Sequence, residues 1–159
     1  MKHLIAPTLA ALAFALPAHA EGDADKGEKT FNRCKSCHAI ADGDEDIVKG
    51  GRTGPNLYGI IGSTAGTVED FSGYGDSLVA AGEAGLVWDE ENLAEYVKDP
   101  RGFLKDYLDD DGAKSKMTFK LNKGGEDVAA YLATFSADED GDSDSEEGAS
   151  EDAEGSDAS

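Results

Sequence analysis

Apolar residues in this chain form one early run and then a series of short patches spaced three and four apart, the period of helices buried on one face. The early run, Leu4 to Leu16, follows Lys2 and ends at Ala18-His19-Ala20. It covers about 13 residues and contains Pro7, too short for the ~20 of a membrane-crossing helix. A basic start, an apolar middle and a small-residue exit are the parts of a secretory leader, so residues 1–20 are predicted to be cleaved after Ala20.

The later patches predict helices joined by loops. Asp23 or Asp25 can cap a first helix running to about Arg33, with Gly27 and Phe31 on one face. A glycine inside a helix costs ~1 kcal/mol relative to alanine, which points to close approach of another helix at Gly27. The partner is the stretch Glu126 to Phe135, begun by the Lys123-Gly124-Gly125 turn and carrying Val128, Tyr131, Leu132 and Phe135 on one face. The terminal helices are therefore predicted to cross with Gly27 and Phe31 against Val128 and Tyr131. Between them, Ala41 to Gly66 reads as loop, and Phe71 to Ala81 holds Tyr74 and the apolar run Leu78-Val79-Ala80-Ala81, enough for a short helix. After Trp88, Asp89 caps a helix with Leu93, Tyr96 and Val97 on its apolar face. Pro100 ends that helix and opens another, capped by Asp99, with Phe103, Leu104, Tyr107 and Leu108 facing inward. Lys114 to Phe119 is extended or loop-like.

Composition changes the picture at the C-terminus. Residues 136–159 hold no apolar side chain larger than alanine and eleven carboxylates without one base, so this segment is predicted to be a disordered acidic tail. One domain remains, residues 21–135. Its apolar content is modest for that length, and a bound macrocycle supplying apolar surface would complete such a core. The whole chain carries a formal −20; with the tail and Lys2 set aside the domain stands at −10. Such a field argues against nucleic acid and against an anionic membrane surface.

The candidate chemistry sits at Cys34-Lys35-Ser36-Cys37-His38, which holds both cysteines and the only histidine left after the leader. Two thiols three positions apart lie on about one turn, where both can add to the vinyl groups of a haem while the adjacent imidazole becomes an axial ligand of the iron. A zinc cage would need about four ligands, which residues 21–159 do not supply as Cys and His. A thioredoxin-like pair would want a strand before it, and polar, helix-favouring residues stand there instead. A structural disulfide in an exported protein stays open. A ligating imidazole gives its second N–H to an acceptor, and the carbonyl of Pro55 in Thr53-Gly54-Pro55-Asn56-Leu57 is a candidate. With one haem face held by His38, the other needs a ligand, which Met117, the sole methionine after Met1, or a lysine must provide.

These runs, with Trp88 and the helix to Tyr96 and with Lys116-Met117-Thr118-Phe119, resemble the class I c-type cytochromes, in particular the bacterial cytochrome c2 and cytochrome c550 group. The likeness covers Asp23 to Phe135 in order. It implies an all-α cytochrome c fold: several helices wrapped around one haem c attached through Cys34 and Cys37, with His38 and Met117 as axial ligands and Pro55 as the carbonyl partner of His38. It further implies that Tyr96 hydrogen-bonds the Met117 sulfur and that Tyr74 and Trp88 contact a haem propionate. Two departures stand out: Ser63 falls where mitochondrial relatives often place an arginine, so that Arg52 or solvent would compensate, and the acidic tail has no counterpart in the shortest members.

An iron held from both sides in both oxidation states has no site for a substrate, so the expected role is one-electron shuttling by a monomeric periplasmic carrier rather than enzymatic turnover. The resemblance suggests membrane partners such as cytochrome bc1, cytochrome c oxidase or a photosynthetic reaction centre. Arg33, Lys35, Lys114, Lys116, Lys120 and Lys123 flank the haem motifs and are the expected docking face. The rivals are a haem c enzyme or sensor with a labile sixth ligand, peroxidase-like, which Met117 speaks against, and an interaction domain whose active part is the acidic tail.

Overall fold

The computed structural model describes residues 22–136; the leader, its cleavage point and the acidic tail lie outside the described residues. The helix α1, Ala24–Phe31, starts where Asp23 accepts a hydrogen bond from the Lys26 amide at 3.0 Å. It ends at Phe31, short of the predicted Arg33, because the chain tightens into turns: the Arg33 amide bonds to Thr30 O and the Cys34 amide to Phe31 O. The last helix in chain order, α5, Gly125–Ala133, begins after Gly124, whose φ of 80° a side chain would resist.

α1 packs on α5 as the glycine position predicted. A β-carbon at Gly27 would run into the carbonyl of Asp127 and stand 2.6 Å from Tyr131 Cβ, so only glycine permits this approach. The Phe31 and Tyr131 rings lie 5.7 Å apart and Val128 is buried. Asp127 closes the crossing by accepting from the Asp23 amide at 2.9 Å. α5 stops two residues before Phe135, yet Phe135 still packs edge-on against Tyr131 at 5.0 Å.

The middle of the chain holds α2, Asp76–Glu83, then α3, Glu90–Lys98, then α4, Pro100–Leu108. α2 contains the run Leu78 to Ala81 on which the short helix was expected, and Tyr74 precedes it between Gly73 and Gly75. α3 opens with a reciprocal cap, Asp89 and Asn92 each accepting from the other's backbone amide at 2.7 and 3.1 Å. Asp99 closes α3 and caps α4 through Gly102, with Pro100 in the first turn, as expected. Asp109 ends α4 in the left-handed region. α3 packs on α5 and α4, and α4 on α2.

One element corrects the expectation of loop over 41–66. Strands β1, Ile40–Asp42, and β2, Glu45–Val48, form an antiparallel hairpin with a bulge between Ile40 and Ala41. Its two-residue turn starts at Gly43 with φ 55°. The strands are short and largely exposed, so their composition reads as loop; Asn56 holds β1 by exchanging two hydrogen bonds with Ala41, at 3.0 and 2.7 Å. The rest of 41–66 is irregular, and among the described residues the fold is otherwise helical.

Candidate haem site

The Cys34–His38 segment is a single turn carried on the end of α1. The amides of Cys37 and His38 both bond to Cys34 O at 3.0 Å, which brings the two thiols onto one turn and sets the imidazole beside them. Both thiols are free, so the turn is not closed by a disulfide. Burial pushes the Cys34 thiol up, whereas the Thr53 hydroxyl, then Ser36, hold the exposed Cys37 thiol below its ordinary value.

A glycine-rich strap, Gly50 to Gly54, clamps this turn from outside. The Gly51 amide bonds to Lys35 O at 2.8 Å and the Gly54 amide to Cys37 O at 2.9 Å. β-carbons at Gly50 and Gly51 would collide with the carbonyls of His38 and Ser36, and one at Gly54 would press on the imidazole, 2.7 Å from its Nδ1. Gly50 and Gly51 were not singled out from sequence, where the stretch reads as loop, and Gly54 was named only within the run Thr53 to Leu57.

His38 Nδ1 lies 2.8 Å from Pro55 O. A carbonyl can only accept, so Nδ1 carries the proton and donates, and Nε2 presents its lone pair. Burial lowers the imidazole pKa more than Pro55 O raises it, so the ring is neutral at pH 7. Among the described residues Nε2 has no hydrogen-bond partner.

Met117 is half-buried in the irregular segment after α4. Tyr96, expected to support the Met117 sulfur, is tied to the Met117 segment through Ser115. The Tyr96 hydroxyl lies a long 3.4 Å from Ser115 Oγ, and Ser115 donates to the Met117 carbonyl at 3.0 Å. Ser115 was not singled out from sequence, having no pattern to mark it. Trp88 is buried between Tyr96, 4.9 Å away, and Phe103, 6.2 Å away. Tyr74 is half-buried and meets Phe71 edge-on at 4.9 Å. Arg52 is exposed, and Ser63 donates to Ile60 O at 2.7 Å.

The residues present fit a haem. Leu57, Ile61, Val68, Leu78, Phe103 and Leu108 pack against the core, along with Cys34 and Met117, but stay only half-buried, leaving apolar surface for a flat apolar group. The donor set, one neutral imidazole and one thioether, suits iron in a macrocycle. Among the described residues no three His, Cys, Asp or Glu gather as a site for a bare metal ion.

No family model matches the chain. It is 64% identical over 137 residues to cytochrome c-551 of Roseobacter denitrificans, covering 86% of this chain and 97% of that protein. It is 62% identical over 133 residues to cytochrome c2 of Rhodobacter capsulatus, covering 82% and 95%. The solved structure of the Rhodobacter capsulatus cytochrome c2 superposes with a TM-score of 0.69, covering 71% of this chain and 97% of that one. With this identity along nearly the full length of its relatives, the chain belongs to the class I c-type cytochromes, all-α proteins that bind one covalently attached haem c.

Proposed function

We propose that this protein is an exported, periplasmic one-electron carrier that shuttles between membrane redox complexes and performs no substrate turnover of its own. Electron carriage as such belongs to the family; the shuttle, its compartment and its residues are our reading. Cys34 and Cys37 would hold the haem as thioethers, and His38 and Met117 would ligate the iron. When bound, the haem supplies a ferrous–ferric couple. His38, pinned by Pro55 O and walled by Gly54, cannot turn its ring, so its Nε2 lone pair stays aimed in one direction. That fixed imidazole is the observation that carries the reading, because a ligand that does not move keeps reorganisation small. Ser115 and Tyr96 restrain the Met117 segment in the same way. The half-buried apolar residues exclude water, and a dry environment disfavours the extra positive charge of the oxidised form, which raises the potential.

Arg33, Lys114, Lys116, Lys120 and Lys123 are exposed and Lys35 is partly so, in support of a basic docking face for acidic surfaces on partners such as cytochrome bc1, a terminal oxidase or a photosynthetic reaction centre. Among the described residues no helix is long and apolar enough to cross a membrane.

The test is the visible spectrum of the purified protein with and without Met117→Ala. The parent is expected to show the weak far-red charge-transfer band of sulfur-ligated ferric iron and to resist carbon monoxide when ferrous. The variant should lose the band and bind carbon monoxide rapidly. A parent that binds carbon monoxide rapidly at neutral pH would replace the carrier with the labile-ligand enzyme or sensor.

A further inference from the structure

Two grooves on the described surface differ in chemistry. One, between α3 and α4, is lined by Glu95, Asp99 and Asp106 with Phe103 and Tyr107, but Lys98 lines it too and Lys120 already pairs with Asp99 at 2.7 Å. The other has no cation in its wall. Ile47, Tyr58, Gly59, Ile61, Thr134 and Phe135 border an open groove of about 630 Å³, and none of Cys34, Cys37, His38 and Met117 lines it. Its floor is fixed where the Gly59 amide donates to Phe135 O at 3.1 Å, and the Tyr58 and Phe135 rings stand 6.5 Å apart. Ile47 and Tyr58 are 42% and 38% exposed, so the groove leaves large apolar side chains in water. The β1–β2 hairpin adds charge at one end. Asp42 pairs across the strands with Glu45, so the two carboxylates share a face, and Ile47 lies two places on from Glu45, on that face too. The Asp42 carboxylate, then Glu45, pushes the Tyr58 phenol above its ordinary pKa, which puts both acids within electrostatic reach of the ring. Asp42, Asp44, Glu45 and Asp46 have no base among them, and none of them has an ion-pair partner among the described residues.

We propose that this groove docks a polypeptide segment of a partner protein that carries an arginine beside a large apolar side chain. The guanidinium lies over the Tyr58 ring and donates to the carboxylates of Asp42 and Glu45, while the apolar neighbour enters between Ile47, Ile61 and Phe135. Charge decides the occupant. The carboxylates of the hairpin repel any acidic segment, the chain's own acid-rich residues 137–159 included, and a second copy brings a domain of formal charge −10 against them. Arginine fits better than lysine, because its planar group stacks on an aromatic face and donates to two carboxylates at once. The groove is opposite in sign to the docking face proposed above and does not depend on it, so the two recognise different partners.

The experiment follows amide NMR shifts of the haem-loaded ferrous full chain as it is titrated with the acetylated and amidated peptide Gly-Leu-Arg-Phe-Gly. The same titration is run with citrulline in place of the arginine, with alanine in place of the phenylalanine, and, for the first peptide, on Asp42→Asn with Glu45→Gln and separately on Ile47→Ser. Amide shifts of Ile47, Tyr58, Gly59 and Phe135 are expected to move together, and those of Lys98, Phe103 and Tyr107 to stay in place. At ~20 mM salt the citrulline peptide, the alanine peptide and each variant should bind at least about threefold more weakly, and ~0.5 M salt should remove the advantage of arginine over citrulline. Equal affinity for the arginine and citrulline peptides, or shifts spread over the acids of α3 and α4 as well, overturns the proposal. The peptide comparison needs no variant, so it decides the matter whether or not a substituted hairpin folds. Shifts at the groove that change with protein concentration in the absence of peptide assign the groove to a second copy and overturn the proposal too.

Discussion

Gly54 and Ser115 show how single residues hold the proposed ligands His38 and Met117 in place. Gly54→Ala puts a methyl group against a ring that cannot retreat, since Pro55 O holds its Nδ1. The expected cost is ~1–3 kcal/mol of stability, and a clash with the ring should also alter the absorption spectrum, where a cost confined to the backbone would not. Ser115→Ala removes the partner of a hydroxyl on a tyrosine that is 6% exposed. The bond is long, so the expected loss is about 1 kcal/mol by thermal unfolding, the low end for an unsatisfied buried group. The same change should weaken retention of Met117, read as easier displacement by imidazole or cyanide in the ferric protein.

Among the elements, two opposing effects meet at Gly27. Alanine there gains ~1 kcal/mol of helix propensity, but its methyl would meet the backbone carbonyl of Asp127, which is the end of no flexible side chain. Overpacking wins, and Gly27→Ala is expected to lower Tm and separate α1 from α5. At the junction of α3 and α4, the side chain of Lys120, then the Gly102 amide, hold the Asp99 carboxyl below its ordinary pKa. A carboxyl whose pKa is lowered by folding contributes stability that is full above its unfolded value and disappears as pH falls through the folded value. Asp99→Asn should therefore keep the cap at neutral pH while flattening the acid limb of the Tm-against-pH curve. Asp99→Ala should lower Tm at neutral pH as well.

At the scale of the whole molecule, the formal charge is strongly negative while the docking face proposed above is basic. A domain at a formal −10 that leaves five cations of that proposed face unpaired among its described residues should orient toward acidic surfaces before contact. Electron transfer to an acidic redox complex is expected to slow at least about tenfold between low salt and ~0.3 M, and Lys114→Gln with Lys116→Gln should remove much of that slope, measured by stopped-flow absorbance.

Sequence by itself determined the local features: a first cap at Asp23 or Asp25, which the structure settles as Asp23, the caps at Asp89 and Asp99, the break at Pro100, the glycine at the helix crossing, and the spacing of Cys34, Cys37 and His38. Each depends on neighbours within a few positions, so the order of residues suffices to state it. Even there the exposed hairpin after Ile40 was hidden, because short solvent-facing strands carry no apolar alternation. Tertiary structure alone decided what meets across distance: that Gly50, Gly51 and Gly54 press on the thiol turn, that Tyr96 reaches Ser115, and that Arg33 sits over the Phe119 ring. Those contacts join segments from far along the chain, and only the packing of α1, α3 and α5 brings them into reach.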